Sequence, residues 1–446
     1  MVKIVFLGAG STVFARNVLG DCMMSEALHD AHIALYDIDG ERLKDSQRLL
    51  DNLNANINQG RAKITAHLGV KNRRAALKDA GFVINAIQVG GYEPCTVTDF
   101  EIPKKYGLRQ SIADTLGIGG IFRALRTIPV LQEFAGDMKA VCPDAWFLNY
   151  TNPMSALTGY LLRHGGVKAV GLCHSVQGCA AGLLGSLGLK EKYGPVQWKI
   201  AGINHMGWLL EITKDGKDLY PEIKKLAEAK NKAARRKGGT KHWDMVRYEI
   251  MKQFGYYNTE SSEHTAEYHP YFIKSTHPEL IGEFNIPLDE YPRRCVSQIA
   301  GWAKQRDELL KGGAKLTHKR SHEYGSRIIE AMTTDVPFEI GGNILNRGLI
   351  PNLPAEACVE VPCLVNRNGV QGCYVGPLPA QLAALNLSHI VVHELTIEAA
   401  ATRRKDAIYH AAMMDPHTRA ELTLDQIRAM CDELIAAHGA WLPKFR

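Results

Sequence analysis

Short apolar runs alternate with longer polar-faced segments through the first part of the chain. Lys3–Leu7, His32–Tyr36, Ile64–His67, Phe82–Ile87, Trp146–Leu148 and Val167–Leu172 have the length and composition of strands. Between the second and third of these, Leu43, Leu50, Leu53 and Ile57 recur at helical spacing across a polar segment. That is a crossover helix, which parallel strands require. The alternation predicts a Rossmann-like, doubly wound parallel α/β sheet. Pro129, inside the helical pattern Ala124–Met138, predicts a helix that is kinked at, or begins near, the proline.

Beyond about Lys190 the pattern changes. Strand-like pieces, Trp198–Ala201 and Leu209–Ile212, mix with helical stretches such as Cys295–Leu310 and Tyr324–Met332. A proline-punctuated region, Pro351 to Pro379, precedes helices that run to the C-terminus. The expectation is a dinucleotide-binding unit over residues 1–195 and a mixed α+β catalytic and oligomerisation domain over 196–446, closing a cleft at the sheet edge. A chain of 446 residues has the length for both.

Composition narrows the class. An apolar fraction of 46% with 22% charged residues is that of a soluble globular protein. No apolar run approaches the ~20 residues that span a bilayer, and a strand starting at Lys3 leaves no room for a signal peptide. Ten singly scattered cysteines without a CxxC pair fit a reducing cytoplasm. The net charge of +6 owes much to Lys224–Lys237, which has no interleaved aromatics and ends in Gly238-Gly239. It reads as a solvated helix and loop rather than a nucleic-acid surface.

Candidate chemistry falls at strand ends. In Gly8-Ala9-Gly10-Ser11-Thr12-Val13 the third glycine of a dinucleotide turn is replaced by Val13. Gly8 permits the tight turn, Gly10 lets the backbone approach a pyrophosphate, and the helix opening near Ser11 and Thr12 offers its amides. Asp37 ends the next strand, where a carboxylate bonds ribose hydroxyls and repels a 2′-phosphate, favouring NAD. The alternative is a phosphate-free turn capped by Ser11. Cys173 and His174 follow the sixth strand directly, and His205 lies in Asn204-His205. A thiol and an imidazole, Cys173 and His205, suit a divalent metal with positions left for water or substrate; the alternative is a core thiol and a satisfied polar ring. Thr259–Tyr268 carries three carboxylates, a histidine and a tyrosine. It is either a helix start capped by Ser262 or a source of acid/base groups. Asp114 and Asn152 cap helices or contact substrate.

The segments FLGAGST, LYDID, VGGYEPCTVTDF, IADTLGIGGIFRALRTIP, NYTNPM, GLCHSVQG, AGINHM, TESSEHTAEY, IPLDEYPRRC and YHAAMMDPHT span nearly the whole chain. In combination they resemble glycoside hydrolase family 4 and, within it, the bacterial α-galactosidases. The resemblance implies an unusual glycosidase chemistry: NAD oxidises the sugar at C3, a base removes the C2 proton, the aglycone is eliminated, water adds at C1, and C3 is reduced again. It implies manganese on Cys173 and His205, a Lewis acid at the C2 and C3 oxygens. It also implies sugar binding by Asn152, leaving-group assistance by His174, and Asp114 supporting the base. The base is placed roughly at Glu263, with His264 and Tyr268 as alternatives. His174-Ser175, in place of the phospho-sugar pattern, implies an unphosphorylated glycoside. Arg293 and Arg294 are candidate substrate clamps, with surface or inter-subunit pairing as the alternative. The implied partners are a small α-galactoside and further copies of the chain, as dimers or tetramers, with no nucleic acid or membrane. An α-glucosidase or α-galacturonidase of the same family is the nearest alternative, and a lactate/malate-type dehydrogenase a more distant one.

Overall fold

Six of the apolar runs form parallel strands in the computed structural model, which describes residues 1–309 and 315–446. They are β1 (Lys3–Leu7), β2 (His32–Asp37), β3 (Lys63–Leu68), β4 (Phe82–Asn85), β5 (Trp146–Asn149) and β6 (Lys168–Leu172), in spatial order β3-β2-β1-β4-β5-β6. Their near-continuous apolar sequences follow from burial on both faces. In β1, Ile4 and Phe6 enter one core while Val5 and Leu7 enter the other. The predicted crossover is the helix Gly40–Ile57, capped by Asp39, whose side chain accepts from the Glu41 and Arg42 amides.

The second half extends the same sheet. Strands β7 (Gln197–Ile203), β8 (Met206–Lys214), β9 (Lys217–Asp218), β10 (Tyr257–Asn258), β11 (Phe338–Leu345), β12 (Cys358–Asn366) and β13 (Gly369–Gly372) are antiparallel to their neighbours. β11 pairs with β6 through Gly342↔Leu172 and Asn343↔Gly171, so the order continues β6-β11-β12-β7-β8-β10. Without β11 the backbone groups of β6 on that side would lack a ladder partner. Two of these strands, β12 and β13, lie in the proline-punctuated region Pro351 to Pro379. Pro362 sits inside β12, where its carbonyl accepts from the Cys373 amide.

Other expectations shift in bounds. The helix holding Pro129 is Gly117–Val141, beginning before the predicted Ala124 and running through the proline. Leu310, the predicted end of another helix, lies outside the described residues; the helix is described over Glu290–Leu309. The basic run lies on helix Tyr220–Arg235, which buries Ile223, Ala227 and Ala234 and leaves Lys224, Lys225 and Lys232 in solvent. Among the described residues, no helix is long and apolar enough to cross a membrane.

One buried ion cluster ties the C-terminal helix to the parallel half. Asp99 accepts from both terminal nitrogens of Arg126, at 3.1 and 2.6 Å, and faces His438 Nε2 at 2.9 Å. Removing the carboxylate strands a guanidinium that is fully out of solvent. Asp99→Ala is therefore expected to lower stability by about 3–5 kcal/mol, seen as a fall in the urea midpoint.

Candidate active site

The parallel strands deliver their carboxyl ends to one edge, the place where open α/β sheets bind ligands. Gly8 follows β1 with φ 81°, and a Cβ there would meet the Ala86 carbonyl oxygen at 2.7 Å, so the turn requires glycine. A short 3₁₀ turn, Ala9–Ser11, precedes helix Val13–Met23, so the helix opens two residues later than Ser11. Thr12, between them, has φ 27°. Val13, in the third-glycine position, is 39% exposed, so no packed neighbour demands a glycine there. The Asp37 carboxylate receives the Gly10 amide at 2.6 Å and the Asp39 amide at 2.9 Å. Two acceptor positions of four remain on it. The Ser11 hydroxyl is buried and, among the described residues, meets no partner.

A second group gathers at the end of β6. Cys173 is partly exposed, and His205 occupies the tight turn between β7 and β8 with φ 63°. The sulfur, one His205 nitrogen and a Glu260 carboxylate oxygen lie within 4.8 Å of one another. His205 Nε2 is 3.4 Å from Glu260 Oε2, and Nδ1 is 3.1 Å from the Tyr268 hydroxyl. Asp114, His205 and His264 form an adjoining set with the same spacing limit. Burial opposes protonation of His205, but the charges of Glu260 and Cys173 overcome it and push its pKa up to about 10. The same field attracts a metal cation. Burial raises the Asp114 pKa, but His264, with Nε2 at 3.6 Å, outweighs it and holds the carboxyl well below the usual range.

Helix Ser262–Tyr268 decides which of the acid/base candidates enter this group. Its N-cap is Ser261, not Ser262 as expected: the Ser261 hydroxyl accepts from the His264 amide and lies 2.7 Å from His264 Nδ1. Ser262 instead turns inward against Arg247 and Asp244. Successive helical residues point about 100° apart. His264 and Tyr268 share the face toward His205, with ring centroids at 4.9 and 6.4 Å from it. Glu263 is turned aside to Arg294, 3.3 Å away, and Arg294 also bonds Glu290 at 2.9 Å. Arg293 is held by Glu290 at 2.8 Å. Glu267, also buried, accepts from the amides of Ser111, Ile112 and Ala113 at 2.7–3.0 Å, fixing the loop that presents Asp114.

Asn152 lies beyond β5; its side-chain oxygen is buried without a partner among the described residues, while its carbonyl accepts from Arg123 Nε at 3.3 Å. His174 stacks at 5.9 Å on Tyr150 and bonds Glu323 at 2.6 Å. That bond raises its pKa against the opposing effect of burial. Glu260, Glu323 and Arg123 are the site residues that sequence reasoning missed. Glu260 was visible inside the acidic cluster and Arg123 inside the segment IADTLGIGGIFRALRTIP; Glu323 stands in a segment with no local signal. The assembled set offers a glycine turn at the end of β1, a soft/borderline metal donor set, and an imidazole braced by a carboxylate.

The model for the family 4 glycosyl hydrolases matches residues 3–189, and that for the family 4 glycosyl hydrolase C-terminal domain matches residues 200–418. An α-galactosidase of Bacillus subtilis (strain 168) is 60% identical over 446 residues, covering 100% of both chains. An α-galactosidase of Rhizobium meliloti (strain 1021) is 32% identical, covering 99% of this chain and 89% of its own. Among solved structures, a 6-phospho-α-glucosidase from gut microorganisms in complex with NAD and Mn²⁺ superposes with a TM-score of 0.80 at 20% identity, with 100% of each chain covered. At that identity the likeness is one of fold.

Proposed function

The chain belongs to family 4 of the glycosyl hydrolases, and we propose that it hydrolyses melibiose-like α-galactosides using NAD and manganese. The observation carrying the substrate class is full-length identity of 60% to an α-galactosidase. The residues present fit both groups. For NAD there is the Gly8 turn, the unpartnered Ser11 hydroxyl and the spare acceptor positions of Asp37. For manganese, thiol, imidazole and carboxylate donors converge from Cys173, His205 and Glu260. When bound, NAD accepts and returns a hydride at sugar C3, and manganese supplies a Lewis acid at the sugar oxygens.

The chain's own residues do the rest. Asn152, with its free amide oxygen, holds a sugar hydroxyl. His264 takes the C2 proton at Nδ1, the ring nitrogen on the side of the Ser261 hydroxyl. Asp114 faces Nε2 of the same ring, fixes its tautomer and stabilises the imidazolium formed. Tyr268 is less available as a base, because burial pushes its pKa well above the ordinary value and so disfavours the phenolate. Glu263, paired with Arg294, serves substrate positioning rather than proton abstraction. His174, whose pKa the bond to Glu323 raises, gives a proton to the departing glycosidic oxygen. A lactate/malate-type dehydrogenase has no use for a convergent thiol, imidazole and carboxylate.

Protein stripped of NAD is expected to be inactive on p-nitrophenyl α-galactoside and to recover with catalytic NAD, without net NADH. Melibiose should be turned over faster than the matching α-glucoside or α-galacturonide. Preference for either rival would reassign the sugar, and steady NADH formation from a hydroxy acid would overturn the glycosidase reading.

A further inference from the structure

Beneath the Cys173–His205 pair, a polar row crosses four strands in register: Gly171 of β6, Asn343 of β11, Glu360 of β12 and Gly202 of β7. Asn343 and Glu360 are both completely buried. The Asn343 amide donates to the Gly171 carbonyl at 3.3 Å and to Glu360 Oε1 at 2.9 Å. The same Glu360 oxygen accepts from the amide of Asn204 at 3.3 Å, and Asn204 is also wholly buried. One carboxylate thus connects the residue before His205, through Asn343, with Gly171, two residues before Cys173. The glycine at the β6 end of the row leaves the space this needs. A Cβ at Gly171 would lie 2.8 Å from Asn343 Cβ.

As a stabilising device the row is poor. Glu360 Oε2, Asn343 Oδ1 and Asn204 Oδ1 are buried with no partner among the described residues. Burying such acceptors, one of them on a carboxylate, costs free energy that an apolar set of similar volume would not. What the row supplies is register. The two ligand segments are far apart in sequence, and His205 sits in a left-handed turn with φ 63° that must be held in place.

We infer that Glu360 is a positioning residue for the metal centre, orienting His205 through Asn204 and Cys173 through Asn343. The inference rests on the manganese reading given above. Outer-shell partners of metal ligands are worth about 10–100-fold in metal affinity. Manganese binding to the NAD-loaded protein, followed by electron paramagnetic resonance, is the direct measurement. Glu360→Gln is expected to weaken manganese binding by about that factor, to change NAD affinity by less than ~3-fold, and to leave the melting temperature equal or higher, because a buried carboxylate is removed. Asn204→Ser, which cuts only the His205 link, should show part of the same loss. A purely structural role predicts the reverse, a lower melting temperature with manganese affinity kept. Manganese affinity within ~3-fold of the parent in folded Glu360→Gln overturns the inference, as does failure of both variants to fold. A parent protein with no manganese affinity would overturn the metal reading itself, with Cys173→Ser as the reference variant.

Discussion

Cys173→Ser is expected to lower manganese affinity by more than ~100-fold while leaving NAD binding nearly unchanged. Changes to the hydrogen-bond partners of metal ligands alone reach about 10–100-fold, and this one removes a donor from the convergent set. Serine keeps the size of the side chain but offers a neutral hydroxyl instead of a thiolate. Chelation of the unaltered protein should abolish hydrolysis and Mn²⁺ should restore it. Reductant should be required during handling, because Cys173 is partly exposed, unlike the buried Cys179 on the next helix. The proposed cofactor and metal sites stand on different strand ends, the Gly8 turn after β1 and the Cys173 turn after β6, which is why the two affinities should separate. Normal manganese dependence in the serine variant would sink the ligand assignment.

The second large effect concerns the proton at C2. Hydrolysis in D₂O is expected to give a product carrying deuterium at C2, since a proton taken by a histidine exchanges with solvent before the sugar is released. A positioned general base is worth about 10²–10⁴ in rate, so His264→Gln should lower kcat by that factor and suppress the exchange. Circular dichroism should be unaltered, because the cap that starts the helix belongs to Ser261. Glu263→Gln should retain exchange and raise KM more than it lowers kcat, as expected of a carboxylate held by Arg294. A product fully protonated at C2 would exclude elimination altogether. Persistent exchange in the His264 variant, with exchange lost in Glu263→Gln, would return the base to Glu263.

The parallel half of this protein was legible from its sequence because doubly buried strands are short, apolar and separated by amphipathic crossovers, a pattern that depends on local composition alone. The Gly8 turn, Asp37 and Cys173 could be placed for the same reason: each immediately follows a readable strand. The continuation of the sheet through β11 and β12 was not legible. β12 contains Pro362 and lies among prolines, and nothing in its local sequence says that it will pair with β11 and reach β7 through Glu360↔Gly202. The same limit applied within Thr259–Tyr268. Composition marked the segment as chemically rich, but Glu263 and His264 differ by one residue, and only the tertiary packing fixed the helix phase. That phase sends His264 toward His205 and Asp114 and sends Glu263 toward Arg294. Glu260, Glu323 and Glu360 gain their meaning from partners 55, 149 and 156 positions or so away along the chain, at His205, His174 and Asn204. Local sequence determined which strand ends carry chemistry; long-range pairing, whose energetics no short window contains, decided which side chains meet there.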